Sequence, residues 1–461
     1  MKPHIFFIGI GGIGMSALAR YFHHLGFNVF GYDKTSTAIT RALESLGINC
    51  VYTDSVQALE SWFSNLNATQ IQVVYTPAVP QTSAVYQYFK TRGIAIKKRA
   101  EVLGAITQHQ TTVAIAGTHG KTTTTTMVTH LLKDAGFNIT AFMGGISANY
   151  QSNLVLGHAD MPNHIMVVEA DEYDRSFHHL RPHWIILTST DADHLDVYET
   201  PQQLSDSYQA FVNLLNPNGV LIVKNSVNNQ ITSSGITYTY DLNLNVHYSA
   251  QNIRYANDAS SLFDLNTPHG LWKNMICPLP GLHNVENAIA ALALAQQFGI
   301  SEVQARNSLA SYKGVQRRFE IHVASSQLYY IDDYAHHPAE LVATLQSARA
   351  LFLNKPITGI FQPHLFSRTR DFKNEFAEAL SLLDHCILMP IYPARESPIP
   401  GVNSEALLEL VKAPKKQIMS AEAVLQFLKV QTSGVFITLG AGDIGQLAAT
   451  IAAHFKLQIQ K

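Results

Sequence analysis

The sequence predicts an α/β protein of three consecutive domains, each built on an open, mainly parallel sheet. Short apolar runs rich in β-branched and aromatic residues alternate with helix-period patterns along the whole chain. Two of these runs feed directly into glycine turns, at residues 9–14 and 117–120. The length, 461 residues, exceeds what one ordinary core accommodates and points to about two to four domains. The pattern divides at residues 1–105, 106–314 and 315–461.

In the first division HIFFIGI (4–10) reads as a strand and MSALARYFHHLG (15–26) as a helix closed by Gly26. FNVFGYD (27–33), ATQIQVVYTPAV (68–79) and IAIKKRA (94–100) read as further strands. The second opens with TTVAIAG (111–117), an apolar strand running into a turn. NHIMVVEA (163–170), HWIILTS (183–189) and VLIVKN (220–225) repeat the buried-strand pattern, and NAIAALALAQQFG (287–299) is an Ala-rich helix ended by glycine. The third starts near GVQRRFE (314–320), and QLYYIDDYA, KPITGIFQP, HCILMPIYP and GVFITLGAG give four strands. No short-period repeat is present, which excludes solenoid folds.

Apolar residues make up 46 % of the chain, enough for real cores. The formal charge is 32 − 34 = −2 with no long block of one sign, which argues against a general electrostatic grip on nucleic acid or anionic membrane. Cys50, Cys277 and Cys386 are widely spaced and odd in number, so free thiols in a reducing compartment are expected. No apolar run approaches the roughly 18 residues of a membrane helix. The N-terminus imitates a signal peptide, with Lys2, an apolar stretch and Ala17-Leu18-Ala19. Gly9, Gly11, Gly12 and Gly14 interrupt that stretch, so a strand feeding a tight turn, and a cytoplasmic protein, are the better reading.

The first turn has the spacing Gly9-x-Gly11-x-x-Gly14, with Ile10 and Ile13 between, and Asp33 follows at the end of the second strand. This is the dinucleotide fingerprint of a Rossmann-like domain. Glycines let the backbone approach a pyrophosphate, the helix N-terminus stabilises its charge, and the carboxylate takes a ribose hydroxyl. It indicates a diphosphate more than NAD in particular. The second turn departs from G-x₄-GK[ST], because Ile115 stands where a glycine belongs. Gly117-Thr118-His119-Gly120-Lys121-Thr122-Thr123 still places backbone N–H groups, a lysine and a hydroxyl at a helix start, as a P-loop ATPase-like sheet requires. The two loops are thus expected to hold different phosphorylated compounds.

Ligands for a nucleotide-bound Mg²⁺ belong at neighbouring strand ends. VVEADEYD places Glu169 after a buried strand, and TDADHLD places His194 after the next. With Thr122 they form a candidate metal set. His283 and Asn287 in GLHNVEN lie four apart on one helical face, suited to an adenine or ribose edge; Asn284 as an N-cap is the bland alternative. RRFE offers Arg318 for charge on a transferred phosphoryl group, and DDYAHHP offers Asp333 for ribose. His364, Arg368 and Arg395 follow later strands and suit carboxylates or phosphates of a small substrate, although a lone arginine there is more often a surface charge.

Lined up in order, GIGGIGMSALA, GTHGKTTTTT, VVEADEYDRSF, DADHLDVY, GLHNVENAIAA, GVQRRFEI, DDYAHHPAE, FQPHLFSRT, YPARESPIPG and GAGDIG resemble, end to end, the Mur ligases that build the bacterial peptidoglycan precursor. The alanine-adding type is the most similar. The resemblance implies that the first loop (Gly9, Ile10, Gly11, Gly12, Ile13, Gly14, with Asp33) holds the uridine diphosphate of UDP-N-acetylmuramate. It implies ATP at residues 117–123, His283, Asn287, Arg318 and Asp333, Mg²⁺ on Thr122, Glu169 and His194, and the amino-acid side at His364, Arg368 and Arg395. Lys121, Glu169, His194 and Arg318 are then the catalytic set.

The chemistry implied is phosphorylation of the lactyl carboxylate by ATP, attack of L-alanine on the acyl phosphate, and release of ADP and phosphate. The third domain is expected to close over that intermediate. A soluble monomer or weak homodimer, with no nucleic-acid or membrane partner, is the matching expectation. Two departures stand out. Residues 196–223 contain no lysine to carry the carbamate of related ligases, and Ser189 stands where such enzymes often show Asn. EADEYD also resembles the sister ligase that recycles murein tripeptides. A nicotinamide-dependent oxidoreductase, read from the first loop alone, leaves GTHGKT, Glu169 and His194 unexplained.

Overall fold

The computed structural model describes residues 3–158, 161–191, 198, 200–242, 245–256, 260–394 and 396–459. Its three sheets are mostly parallel. Strands β1 (His4–Ile8), β2 (Asn28–Tyr32), β3 (Asn49–Val51), β4 (Ile71–Tyr75) and β5 (Ile96–Lys98) form the first, in the order β3-β2-β1-β4-β5. The order reverses beside β1, so the loop after β1 opens at a switch point, where open α/β sheets bind ligands.

The second sheet has ten strands: β6 (Thr111–Ala116), β7 (Ile139–Ser147), β8 (Ser152–Val155), β9 (Ile165–Glu169), β10 (Trp184–Leu187), β11 (Val220–Lys224), β12 (Ile236–Asp241), β13 (Tyr248–Tyr255), β14 (Ser261–Thr267) and β15 (Gly270–Cys277). Their order is β15-β14-β13-β12-β11-β10-β6-β9-β7-β8. Strand β6 is central and fully hydrophobic in its inner half, as a strand covered on both faces requires. It pairs in parallel with β9 and β10, which brings Glu169 and Leu187 to the edge where the second glycine turn begins.

The third sheet comprises β16 (Glu320–Ala324), β17 (Leu328–Asp333), β18 (Ile357–Phe361), β19 (His385–Leu388), β20 (Lys415–Ile418) and β21 (Gly434–Leu439), ordered β16-β17-β21-β18-β19-β20. All pairings here are parallel except that of β16 with β17.

In packing, the chain forms two compact units. One comprises Met1–Asn252, Phe263–Met275 and Glu286–Tyr312; the other comprises Ile253–Leu262, Ile276–Val285 and Lys313–Lys461. Inside the first unit a single buried cluster runs from Ile5, Phe7 and Leu18 to Ala114, Val168, Leu187 and Leu221, so the first two sheets share a core. Buried Asn153 in β8 seals the join, donating to the Ile13 carbonyl at 2.5 Å and to Ser16 Oγ at 2.9 Å. The helix after the first glycine loop is thereby fixed to the sheet that carries the second.

Several elements differ from the sequence reading, among them β7, β8, β12–β15, β16 and β20, which it did not contain. IAIKKRA is strand only over Ile96–Lys98, and Arg99 starts a helix, Arg99–Thr107. Strand β3 lay hidden because three residues at a sheet edge carry almost no periodicity.

Candidate functional site

Each glycine loop opens a helix whose N-terminus has no side-chain cap and no acidic residue in its first turn: Ile13–His24 after the first, Lys121–Asp134 after the second. Free N–H groups and the helix dipole at such an end favour anions. In the first loop the Gly9 and Ile10 N–H groups donate to the Tyr32 carbonyl at 2.8 and 3.0 Å. Gly12 N–H donates back to the Gly9 carbonyl at 3.2 Å. Asp33 accepts from Gly11 N–H at 2.8 Å and from Thr35 N–H at 3.3 Å, so this carboxylate shapes the loop from within.

The second loop is held by the strand beside it. Thr118 N–H donates to the Ser189 carbonyl at 3.1 Å, and His119 N–H to Ser189 Oγ at 2.8 Å. The hydroxyl of Ser189 thus clamps the loop. Thr118 Oγ1 donates to the Asp191 carbonyl at 2.7 Å, and the His119 ring lies 3.7 Å from the Asp191 carboxylate. Gly120 has φ +81°, and a Cβ there would fall 2.5 Å from Asn287 Oδ1, so only glycine fits. Asn287 also accepts from Thr124 Oγ1 at 3.2 Å, which places it against the loop's helix.

Threonine is a poor helix former, yet Thr124, Thr125, Thr126 and Thr129 are all buried. Thr126 and Thr129 return their hydroxyls to backbone carbonyls four residues back, those of Thr122 and Thr125. Thr126 bonds the Thr123 carbonyl too.

Lys121 Nζ lies 2.6 Å from the Gly117 carbonyl, 3.2 Å from that of Thr118 and 2.8 Å from Glu172 Oε1. Burial lowers this ammonium's pKa, but the Glu172 carboxylate outweighs burial and leaves it above the ordinary lysine value. Glu172 is 1 % exposed, and its own carbonyl accepts from the Tyr198 hydroxyl. Glu169, at the end of β9, accepts from Thr122 Oγ1 at 2.9 Å and from Gly144 N–H at 2.9 Å. Burial pushes its carboxyl up, offset in part by Lys121 and the Thr122 hydroxyl. An oxygen-donor pair of hydroxyl and carboxylate beside a phosphate loop suits a hard divalent cation.

A cavity of about 280 Å³ inside this unit runs from the first glycine loop to the end of β9. Gly12, Ile13, Gly14, Thr76 and Arg99 line one end; Gly144, Glu169 and Asp171 line the other. The backbone beyond it is strained: Asp174 and Arg175 occupy the left-handed region at φ 51° and 55°.

The other unit gathers His283, Arg318 and Asp333. Arg318 Nη1 lies 3.3 Å from Glu340 Oε1, and its guanidinium sits 5.3 Å over the Tyr334 ring. Burial works to lower its pKa, and Glu340 and Asp333 outweigh it. Asp333 accepts from Phe319 N–H at 2.6 Å and Ala335 N–H at 2.7 Å; burial raises its pKa to about 6 despite Arg318. His283 falls to about 4, through burial first and Arg318 second, and is a neutral imidazole at pH 7. His364 stacks on Tyr392, centroids 5.6 Å apart, and Arg368 lies in the short helix Phe366–Asp371. His194 and Arg395 lie outside the described residues.

Three family models match the chain in order: the Mur ligase family catalytic domain over residues 4–111, the Mur ligase middle domain over 115–295 and the Mur ligase glutamate ligase domain over 317–444. The UDP-N-acetylmuramate–L-alanine ligase of Porphyromonas gingivalis (strain W83) is 44 % identical over 456 residues, covering 98 % of this chain and 99 % of its own. The chain belongs to the Mur ligase family. The enzyme of the same name from Christiangramia forsetii is 45 % identical over 443 residues, 96 % of this chain and 95 % of its own. The crystal structure of UDP-N-acetylmuramate-alanine ligase from Thermotoga maritima matches with a TM-score of 0.81 at 26 % identity, covering 100 % of this chain and 99 % of that one. A murein peptide ligase from Psychrobacter arcticus, 22 % identical with a TM-score of 0.74, shares the fold.

The resemblance read from the motifs is borne out for this Mur ligase, as is the α/β class. Sequence reasoning passed over two side chains that the geometry places at the loops. Glu172 sits in an acidic run where nothing local separates it from its neighbours, and Arg99 was read as the tail of a strand. Among the described residues no helix is long and apolar enough to cross a membrane.

Proposed function

We propose that this Mur ligase joins L-alanine to the lactyl carboxylate of UDP-N-acetylmuramate at the expense of ATP, forming ADP and phosphate. The observation that carries the residue-level reading is the cavity running from Gly12–Gly14 to Glu169 and Asp171. A sugar nucleotide whose diphosphate rests on the first loop presents its far end toward the phosphates of an ATP held by the second. High-coverage relatives that bear the alanine-ligase name support the same assignment.

A carboxylate is a poor acyl donor because oxide is a very poor leaving group, and phosphorylation supplies a better one. Two anions must therefore meet, and the chain's own groups screen them. Lys121 exchanges Glu172 for phosphate oxygens, while the backbone N–H groups at the start of the helix Lys121–Asp134 cradle the chain of phosphates. Thr122 and Glu169, already 2.9 Å apart, are the described oxygen donors that fit Mg²⁺, with His194 proposed beside them. When bound, that ion offsets negative charge on the transferring phosphoryl group. Arg318, fixed by Glu340 and Asp333, is assigned to the same charge, and His283 and Asn287 to the nucleoside. His364, Arg368 and Arg395 are assigned to the amino-acid side. Residues 1–105, 106–314 and 315–461 take the sugar nucleotide, ATP and amino acid respectively. A cytoplasmic location supplies the ATP.

The test is ADP formation over a matrix of amino acids and the murein tripeptide. Release of ADP that requires both UDP-N-acetylmuramate and L-alanine supports the reading. Preference for the tripeptide transfers it to the recycling ligase, and thermal protection by NAD(P) in place of UDP-sugar and ATP removes it.

A further inference from the structure

Arg99 is the one cationic side chain among the described residues lining the cavity that runs from the first glycine loop to Glu169 and Asp171. It opens the helix Arg99–Thr107 directly after β5, on the same sheet edge as the first glycine loop. Its side chain lies across that loop: a Cβ on Gly14 would fall 2.5 Å from Nη1 and 3.0 Å from Cδ. Nη2 donates to Asp171 Oδ2 at 3.1 Å, and Asp171 stands two residues beyond Glu169. The guanidinium therefore reaches from the first glycine loop to the strand end that carries Glu169.

The remaining lining shows what such a group is for. Met15, Leu18, Leu103, Phe142 and Met143 make the walls apolar, while Glu169 and Asp171 make one end acidic. A substrate carboxylate moving toward the ATP phosphates meets two carboxylates there. Without a cation it is repelled on entering a poorly hydrated space. A guanidinium matches a carboxylate with two parallel N–H donors and is more weakly hydrated than an ammonium. Asp171 is 40 % exposed on its side chain, so it is a partner that solvent can release.

We propose that Arg99 binds the lactyl carboxylate of the sugar nucleotide, with Asp171 holding the guanidinium in place until that carboxylate arrives. Arg99 then makes this enzyme select an acidic sugar nucleotide over a neutral one. The proposal rests on the ligase reading above.

Calorimetric binding of UDP-N-acetylmuramate and UDP-N-acetylglucosamine isolates the carboxylate, because the two differ by the lactyl ether. In the unaltered protein the muramate binds more tightly. In Arg99→Met that preference falls about 10- to 100-fold, through weaker muramate binding alone. Affinity for UDP-N-acetylglucosamine and the melting temperature stay as they were. Arg99→Lys restores part of the preference, since a point charge keeps attraction and loses the paired donors. In turnover, KM for the muramate rises and KM for ATP does not.

Equal weakening of both sugar nucleotides in Arg99→Met makes the residue a diphosphate or packing contact and overturns the proposal. An unchanged preference overturns it as well. An unaltered protein that binds neither sugar nucleotide overturns the ligase reading itself, which separates the two failures.

Discussion

Each compact unit holds a half-buried cation between two carboxylates, and the two arrangements differ in what holds the second carboxylate. In the first unit Lys121 pairs with Glu172 while Glu169 stands near; in the other Arg318 pairs with Glu340 while Asp333 stands near. Burial raises both Glu169 and Asp333 above their ordinary values. Asp333, however, is gripped by two backbone N–H groups, those of Phe319 and Ala335, which are fixed by the fold. Glu169 is gripped by one backbone N–H and by the Thr122 hydroxyl, which is free to rotate. The lysine is likewise a flexible point charge, whereas the arginine is a rigid fork. On the proposed reading the first cluster exchanges partners when phosphate and cation bind, and the second keeps its arginine aimed.

The largest effect that tests this contrast comes from removing the exchangeable cation. Lys121→Ala is expected to lower kcat at least ~10³-fold, since a charge that stabilises the transferring phosphoryl group is lost. Affinity for UDP-N-acetylmuramate, measured by calorimetry, stays within about twofold, because the first loop is untouched. Parallel loss of sugar-nucleotide and ATP affinity would break the division of labour between the loops.

Next in size is Gly144→Ala. A Cβ at this position runs into both carboxylate oxygens of Glu169, which is held by the Gly144 N–H itself. Displacing that carboxylate by a bond length is expected to cost about 10²-fold in kcat. The Mg²⁺ concentration for half-maximal rate should rise with it. A normal metal dependence in this variant would remove Glu169 from the metal set.

How far all this is legible in the sequence depends on how local the physics is. Glycine loops are set by backbone conformation and by the strand and helix that flank them, so 9–14 and 117–123 can be read directly. The central strands are buried on both faces and announce themselves as apolar runs. Strands β12–β15 and β7–β8 lie toward the sheet edges, where half-exposed patterns such as that of Ser261–Thr267 carry a weaker signal. Asp33 was found by its spacing, but only coordinates reveal that it accepts from Gly11. Glu172 and Arg99 had no local mark at all. Their roles arise from partners 51 and 72 residues away, Lys121 and Asp171.

A smaller effect than either loop variant is expected from Glu172→Gln. The amide keeps the shape and loses the charge, leaving Lys121 buried beside a neutral partner. Stability of the nucleotide-free protein should fall by about 1–3 kcal/mol in urea denaturation. Saturating ATP·Mg²⁺ should shrink that deficit, because phosphate oxygens replace the carboxylate. A deficit that persists unchanged with nucleotide would mean that Lys121 never leaves Glu172, and the exchange picture fails.

The smallest effect tests the fixed cluster through pH. His283 has a folded pKa of about 4 against 6.5 unfolded, so the folded state binds fewer protons between these values. The stability it contributes is therefore lost as pH falls from 6.5 toward 4. Asp333, at about 6 folded against 3.8 unfolded, does the opposite and gains stability as pH falls from 6 to 3.8. The two slopes oppose one another across pH 4–6. His283→Gln removes one slope and leaves the other. Relative to the unaltered protein, its stability should improve by about 1–3 kcal/mol between pH 6.5 and 4. Amide hydrogen exchange along β17 reads this directly, since the tryptophans Trp62, Trp184 and Trp272 all belong to the other unit. Parallel pH profiles for variant and parent would show that His283 binds its proton as readily in the folded protein as in the unfolded one, so that neither burial nor Arg318 depresses it.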